Sequence, residues 1–488
     1  MNFLLWTDSA PIPVLALMTL LPLLGALLVW KLPSLLWSKR SAYLVALGGV
    51  ILGLLLLHWF DTTRTGIQLG ERYAFAGLSY TAGVDASNVL FLPLVPILTL
   101  LCLIYLRLTP HKNNPRFLAC VLAYSGIMTG AFAALNLLQF WFWCVLELLP
   151  LLWLTTRAGT GANRSYVAGL LLRYWGSGLL MILFCFLLIA FSEREATTEL
   201  TFDWVTLRDH VASMRNKVLV FLLLFFGFAI RMPLFPFHAW LPLLAERGTV
   251  ATVPLFAVGL KLGVYGMVRF ILPLVPDVAE AWSGFVLTLG LISIFYGALL
   301  ALMQINMRRL LAFAVLSHTG LLVIGIFSFS PYGLEGSILL SVAYGLATSG
   351  MLFCLGLIYQ RTGTALIPRL GGLFDTNAAI GLLFLISALS TMVMPGTPGY
   401  DAAHLLLEGV IEEDGWYLAI AILTGNLLAA AFLLRAFQQI FIMQPRRALQ
   451  PDRSVHHPIR EELVIAVVIC VLLIVSGFYA TPELDFID

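Results

Sequence analysis

Residues 230–242 read Ile-Arg-Met-Pro-Leu-Phe-Pro-Phe-His-Ala-Trp-Leu-Pro and close an apolar run that begins at Lys217. Arg231 sits within that run. A charge at mid-membrane depth is costly unless it is paired or wetted, so it marks a functional site by default. Pro233 and Pro236 follow at once, and proline removes a backbone donor and breaks a helix. Broken helices at membrane depth occur where a cavity or an ion site is lined. The stretch therefore predicts a helix that stops inside the membrane and carries charge there.

The rest of the chain agrees with a membrane setting. Of its 488 residues 60% are hydrophobic and only 11% charged, which excludes the soluble globular classes. The net charge of +2 points to no nucleic-acid partner. Cys102, Cys120, Cys144, Cys185, Cys354 and Cys470 fall singly in apolar runs, without metal-ligand or redox spacing, and read as packing residues. With no Gly-rich nucleotide loop and no Cys cluster, no cofactor is expected in this chain. The N-terminus lacks a basic region and a small-residue cleavage site, so its first apolar segment is expected to remain as a helix.

About fourteen stretches are long enough to cross a bilayer at roughly 20 residues each. Positive charge in the connecting loops alternates. Lys31, Lys39, Arg40, Arg107, Lys112, Arg116, Arg157, Arg164, Arg247, Arg308, Arg309, Arg361, Arg369, Arg435, Arg446, Arg447, Arg453 and Arg460 fall on one side. The positive-inside rule makes that side cytoplasmic and puts both termini outside, in the inner (plasma) membrane. The predicted class is an all-α polytopic membrane protein.

The pattern M-P-x-x-P at Met232 returns at Met394, in Val393-Met-Pro-Gly-Thr-Pro398, 162 residues on. Interrupted helices at corresponding places in two halves point to a transport site between repeats; a five-residue pattern with two free places also arises by chance. Other ionisable groups inside the spans are few: Glu147, His238, Lys261, His318, and Asp401, His404 and Glu408 after the second break. Glu, Lys and His at similar depth can pass protons through trapped water, because burial favours their neutral forms. Plainer readings stand beside this. Glu147 and Arg231 can be a structural ion pair, His318 a satisfied core histidine, and Asp401 and Glu408 can face outer water. Arg173, Arg269, Glu335 and Arg435 lie nearer span ends and are expected to reach interface water.

These residues resemble the antiporter-like membrane subunits of respiratory complex I, most of all the chain M type, which is related to the membrane subunits of Mrp antiporters. AIRMPLFPFHAWLP resembles that family's V-K-x-P-x-x-P-x-H-x-W-L-P. LFAVGLKLGVYGMVRF resembles L-A-G-I-L-L-K-x-x-x-Y-G-L-x-R-F, and NMRRLLAFAVLSHTG resembles D-x-K-R-x-I-A-Y-S-S-x-S-H-M-G. GVDASNVLFLPLV, from Gly83, resembles the G-V-D-G-L-S segment. The likeness runs from about Gly83 to the end. It implies fourteen helices with two inverted five-helix repeats, each holding a broken helix. The units are then residues 1–110, a first repeat 111–272, a second 282–443, and a last helix within 444–488. It also implies proton translocation, or proton/Na+ antiport, within a multi-subunit complex. Carried over by position, Glu147 is the uptake glutamate, Arg231 the broken-helix lysine, Lys261 the central lysine, and His238 and His318 the axis histidines.

The chain departs from the family at four places. Arg231 stands for a lysine, and arginine does not give up its proton in proteins. The exit glutamate or lysine of the second break becomes Ala403, with His404 beside it and Glu408 a turn on. A family histidine in I-A-H-G-L becomes Tyr344. The proline after the uptake glutamate is displaced; anchoring on Pro150 instead would select Val145. The expected path is Glu147, Arg231 as a fixed cation, Lys261 and His318, with exit at His404 or Glu408. Pro233, Pro236, Pro395 and Pro398 make the two breaks. Three assignments follow. One is a chain M-like subunit of an NADH- or ferredoxin-quinone oxidoreductase. The others are an Mrp-type antiporter subunit, and the proton-conducting partner of a DAB-type inorganic-carbon accumulation complex. A purely structural anchor is the non-transport alternative.

Overall fold

The computed structural model describes residues 3–75, 78–108, 114–160, 163–197, 201–210, 216–248, 253–444, 459–479 and 484–487. Lys112, Arg446, Arg447 and Arg453 of the cytoplasmic set lie outside them.

The apolar runs are helices. In chain order they are α1 (Val14–Lys31), α2 (Leu35–Trp59), α3 (Phe91–Arg107), α4 (Pro115–Ala133), α5 (Leu137–Ala158) and α6 (Arg164–Thr197). Then come α7 (Lys217–Arg231), α8 (Trp240–Arg247), α9 (Val253–Gly266), α10 (Ser283–Met303) and α11 (Met307–Ile326). The last five are α12 (Pro331–Thr362), α13 (Ala378–Thr391), α14 (Pro398–Glu413), α15 (Trp416–Phe437) and α16 (Arg460–Phe478). Among the described residues ten helices are long and apolar enough to cross a membrane, and α3 and α13 are shorter apolar ones. The chain is a multi-helix membrane protein. α11 and α12 are almost wholly buried, whereas α2 and α16 leave most of their apolar surface outward, as a lipid-facing rim does.

The fold is predominantly helical, with one small addition to the expected all-α class: Ile67–Phe75 (β2) and Leu78–Val84 (β3) form an antiparallel hairpin, and Phe3–Leu5 (β1) pairs in parallel with β2. Its alternating β-branched and aromatic residues carry a strand signal, but its length suggests only a loop between spans. The hairpin has a structural task. The Glu71 carboxylate accepts from the backbone N–H groups of Leu15 (2.8 Å) and Ala16 (3.0 Å), capping α1, whose first-turn N–H groups have no acceptor within the helix. Burial pushes the Glu71 carboxyl up to about 7, against those two N–H groups, which pull it down.

Two five-helix series follow in the same order: α4, α5, α6, α7–α8, α9, then α10, α11, α12, α13–α14, α15. Local details recur. Asn136 caps α5 by accepting from Gln139 N–H, and Asn306 caps α11 by accepting from Arg308 N–H. Each of these asparagines also forms a β-bridge to the segment after the long third helix, with Asp203 and Leu366 respectively. α9 and α15 both end in a π-helical turn, at Met267–Ile271 and Gln438–Ile442.

The helix breaks correspond most closely. After α7, Met232 N–H donates to Phe228 O, Leu234 N–H to Ala229 O and Phe237 N–H to Leu234 O; after α13, Met392 donates to Ala388, Met394 to Leu389 and Thr397 to Met394. Backbone equivalence thus runs at a spacing of 160, not the 162 of the M-P-x-x-P match. Pro395 takes the place of Phe235, and Thr391 the place of Arg231. The motif is shifted because the backbone needs a break, not a proline at one fixed step.

Candidate functional site

α7 ends at Arg231, and the break turns the guanidinium into the protein. There Arg231 forms a fully buried ion pair with Glu147 of α5. Tyr124 of α4 donates its hydroxyl to the other Glu147 oxygen at 2.8 Å. The guanidinium lies over the Trp175 ring, 4.7 Å from its centroid, and reaches Gly259 O at 3.4 Å. Gly259 is required: a Cβ there would meet the Tyr124 hydroxyl at 2.0 Å and Glu147 Oε1 at 2.9 Å. Trp240, just past the break, donates its indole N–H to Ile230 O at 3.0 Å and packs edge-on against Trp175. A carbonyl freed by the break is thereby satisfied.

Two residues along α9 from Gly259, Lys261 is 4% exposed and has its ammonium 5.7 Å from the Tyr344 ring centroid. Tyr344 stacks on His318 with centroids 4.4 Å apart. Lys261 of the first series therefore meets His318 and Tyr344 of the second through one aromatic ring. Both His318 ring nitrogens and the Tyr344 hydroxyl lack a hydrogen-bond partner among the described residues. Buried polar atoms of this kind are characteristically served by internal water. The same holds for the hydroxyls of Ser341, Ser387 and Ser390.

The remaining expected residues fall elsewhere. His238 packs against Phe235, Tyr296 and Phe313. At the second break, Thr391 donates to Ser387 O at 2.8 Å and Ala403 is 2% exposed. His404 and Glu408, expected as exit groups, lie on the outward surface of α14, with side chains 68% and 49% exposed and 3.9 Å apart. Helical spacing puts them one turn from each other and away from the face that Ala403 and Leu406 bury.

Arg269 also departs from expectation. It is buried, not at interface water. Its Nη1 and Nη2 donate to Asp85 at 2.5 and 2.8 Å, and its Nε donates to the Tyr265 hydroxyl at 3.0 Å. The pair joins the segment before α3 to the end of α9. The opposite charges of Gly83-Val-Asp85 and Arg269-Phe270 are the available signal, but 184 residues separate them. Tyr124 and Trp175 escape a reading of the sequence because nothing in their own helices marks them.

Comparison with known proteins places this site in a lineage. Residues 134–429 match the family described as NADH:quinone oxidoreductase/Mrp antiporter, TM. Over 446 residues the chain is 30% identical to NADH-quinone oxidoreductase subunit M of Rickettsia conorii, covering 88% of each. A chain of respiratory complex I from Thermus thermophilus superposes with a TM-score of 0.86 at 28% identity, covering 97% of this chain and 98% of that one. A chain of the Mrp complex from Dietzia sp. DQ12-45-1b gives 0.85 at 18% identity, covering 97% and 96%, a likeness of fold. The buried Glu147–Arg231 pair, Lys261 and His318 thus stand within a known scaffold, and the chain belongs to the NADH:quinone oxidoreductase/Mrp antiporter transmembrane family as an antiporter-like membrane subunit.

Proposed function

We propose that the chain translocates protons as a subunit M-like component of a multi-subunit quinone oxidoreductase in the plasma membrane. The observation that carries this reading is the buried sequence of Glu147–Arg231, Lys261, Tyr344 and His318, which runs from the first helix series into the second. Protons enter near Glu147. Arg231 keeps its proton and acts as a fixed cation paired with Glu147. Lys261 is the carrier, and water beside Tyr344 and His318 extends the path. The two helix series are inverted repeats, residues 111–272 and 282–443, within fourteen spans, and both termini lie outside. The recurring caps, π turns and 160-residue break spacing support that reading. The loop charges support the orientation, and the partners are the other subunits and the bilayer. No cofactor is assigned to this chain.

One observation favours a second reading. At the second break the fully buried positions Thr391 and Ala403 are not titratable, and Asp401 is only half-buried. That suits a specialised proton conductor, such as the membrane partner of an inorganic-carbon complex or an Mrp-type subunit. Co-purified subunits decide between these. Replacing Lys261 with Ala is expected to abolish proton flux in vesicles while the complex still assembles; undiminished flux would sink the transport reading.

A further inference from the structure

At the second break the buried Thr391 and Ala403 carry no titratable group, Asp401 is half-buried, and His404 and Glu408 are exposed, so a proton on Lys261 is better served by another way out. Four residues further along α9, on the same helix face and about 6 Å on, stands Tyr265. Tyr265 accepts from Arg269 Nε at 3.0 Å, and Arg269 grips Asp85 with both terminal nitrogens. Arg269 and Asp85 in turn form part of the wall of a cavity of about 590 Å³, shared by Ala86, Ser87, Trp204 and Asp485. The cavity lies where α2 ends and α12 begins, which the loop charges make the outer face. Its volume holds on the order of 20 waters at about 30 Å³ each.

We propose that this outer cavity is the release vestibule for protons leaving Lys261, entered past Tyr265. The inference rests on the transport reading above. In the step, the Lys261 ammonium passes one proton to water at the Tyr265 hydroxyl. The amine becomes neutral, and the proton leaves as hydronium in the cavity. A hydroxyl with one relaying water suffices for such a transfer. Arg269 keeps its proton. Asp85 acts as a positioning residue: its carboxylate, which also accepts from Ser87 N–H (3.1 Å) and Oγ–H (2.7 Å), cancels the Arg269 charge. Arg64 and Arg208 also line the cavity, so without Asp85 three arginines would face only Glu335 and Asp485 and would repel the departing proton.

The test is Ala86→Cys in vesicles carrying the assembled complex, treated from outside with a bulky, membrane-impermeant thiol reagent. Modification is read by mass and proton flux by a pH-sensitive dye. The parent chain and Tyr417→Cys, whose tyrosine is 91% exposed, serve as controls. Modification at position 86 should lower flux at least fivefold, with both controls unchanged. Tyr265→Phe, which keeps the ring, should slow flux without loss of assembly. If position 86 is modified and flux holds, or if it cannot be modified from outside, the vestibule is overturned. Lys261→Ala separates the two ideas: flux lost there but preserved after labelling refutes the vestibule alone, whereas flux preserved in Lys261→Ala refutes the transport reading beneath it.

Discussion

At the end of α7, Arg231 meets Glu147 beneath Trp175; at the end of α13, the same backbone step carries Thr391, which donates to Ser387 of its own helix. The hydrogen bonds recur across the two breaks, but the charge does not. A break supplies room and free backbone groups at depth. Charge at that place is a separate choice, sustained only if a neighbouring helix supplies a counter-charge. α5 brings Glu147 to Arg231, but no such acid faces Thr391 among the described residues. The two breaks therefore share a backbone geometry without sharing a charge, and the buried Glu147–Arg231 pair and Lys261 lie on the first series, where Lys261 borders Tyr344 and His318 of α12 and α11.

The largest effect should come from unpairing the charged break. Arg231→Leu leaves Glu147 buried without its cation and should cost about 3–5 kcal/mol, whereas Arg231→Leu with Glu147→Leu should recover most of it. Thermal unfolding in detergent measures both. A double variant no more stable than the single one would mean that the pair is not the reason for the charge. The second effect concerns the neutral break. His404→Ala with Glu408→Ala should leave proton flux within about twofold, because exposed pairs contribute little and these face away from the path. A collapse of flux would make the second half chemically active after all and erase the contrast. The smallest effect tests whether burial alone, away from either break, produces a titrating carboxyl. Glu71 has its carboxyl raised from 4.5 to about 7 by burial. The folded protein then holds that proton where the unfolded chain has lost it. The associated stability is fully present below 4.5 and is lost as pH rises through about 7. Glu71→Gln should flatten that slope in melting temperatures taken across the window. An unchanged slope would assign it to other groups.

Much of the architecture can be read directly. Apolar run lengths fix where helices lie, and Pro233 and Pro236 mark the first interruption. The second falls out of register with its motif, because M-P-x-x-P matches letters whereas the hydrogen bonds align Met394 with Leu234. Glu147, Arg231, Lys261 and His318 stand out because ionisable groups are expensive in apolar runs. Their polar and aromatic supports do not: Tyr124 and Trp175 are ordinary residues for an apolar helix. His404 adjoins Ala403, but adjacent residues on a helix point about 100° apart, which sets its side chain on the exposed side of α14.

By itself the sequence determined the membrane setting, the helix breaks and the identity of the charged residues, since each follows from local composition and the cost of charge in lipid. Which charges meet was decided only by the tertiary structure. Arg231 with Glu147 spans 84 residues and Arg269 with Asp85 spans 184, and at such separations helix packing, not local preference, sets what lies beside what. Packing likewise turned His404 and Glu408 outward and left Thr391 facing inward. Arg231 could announce its own cost, but only the fold could show how that cost is met.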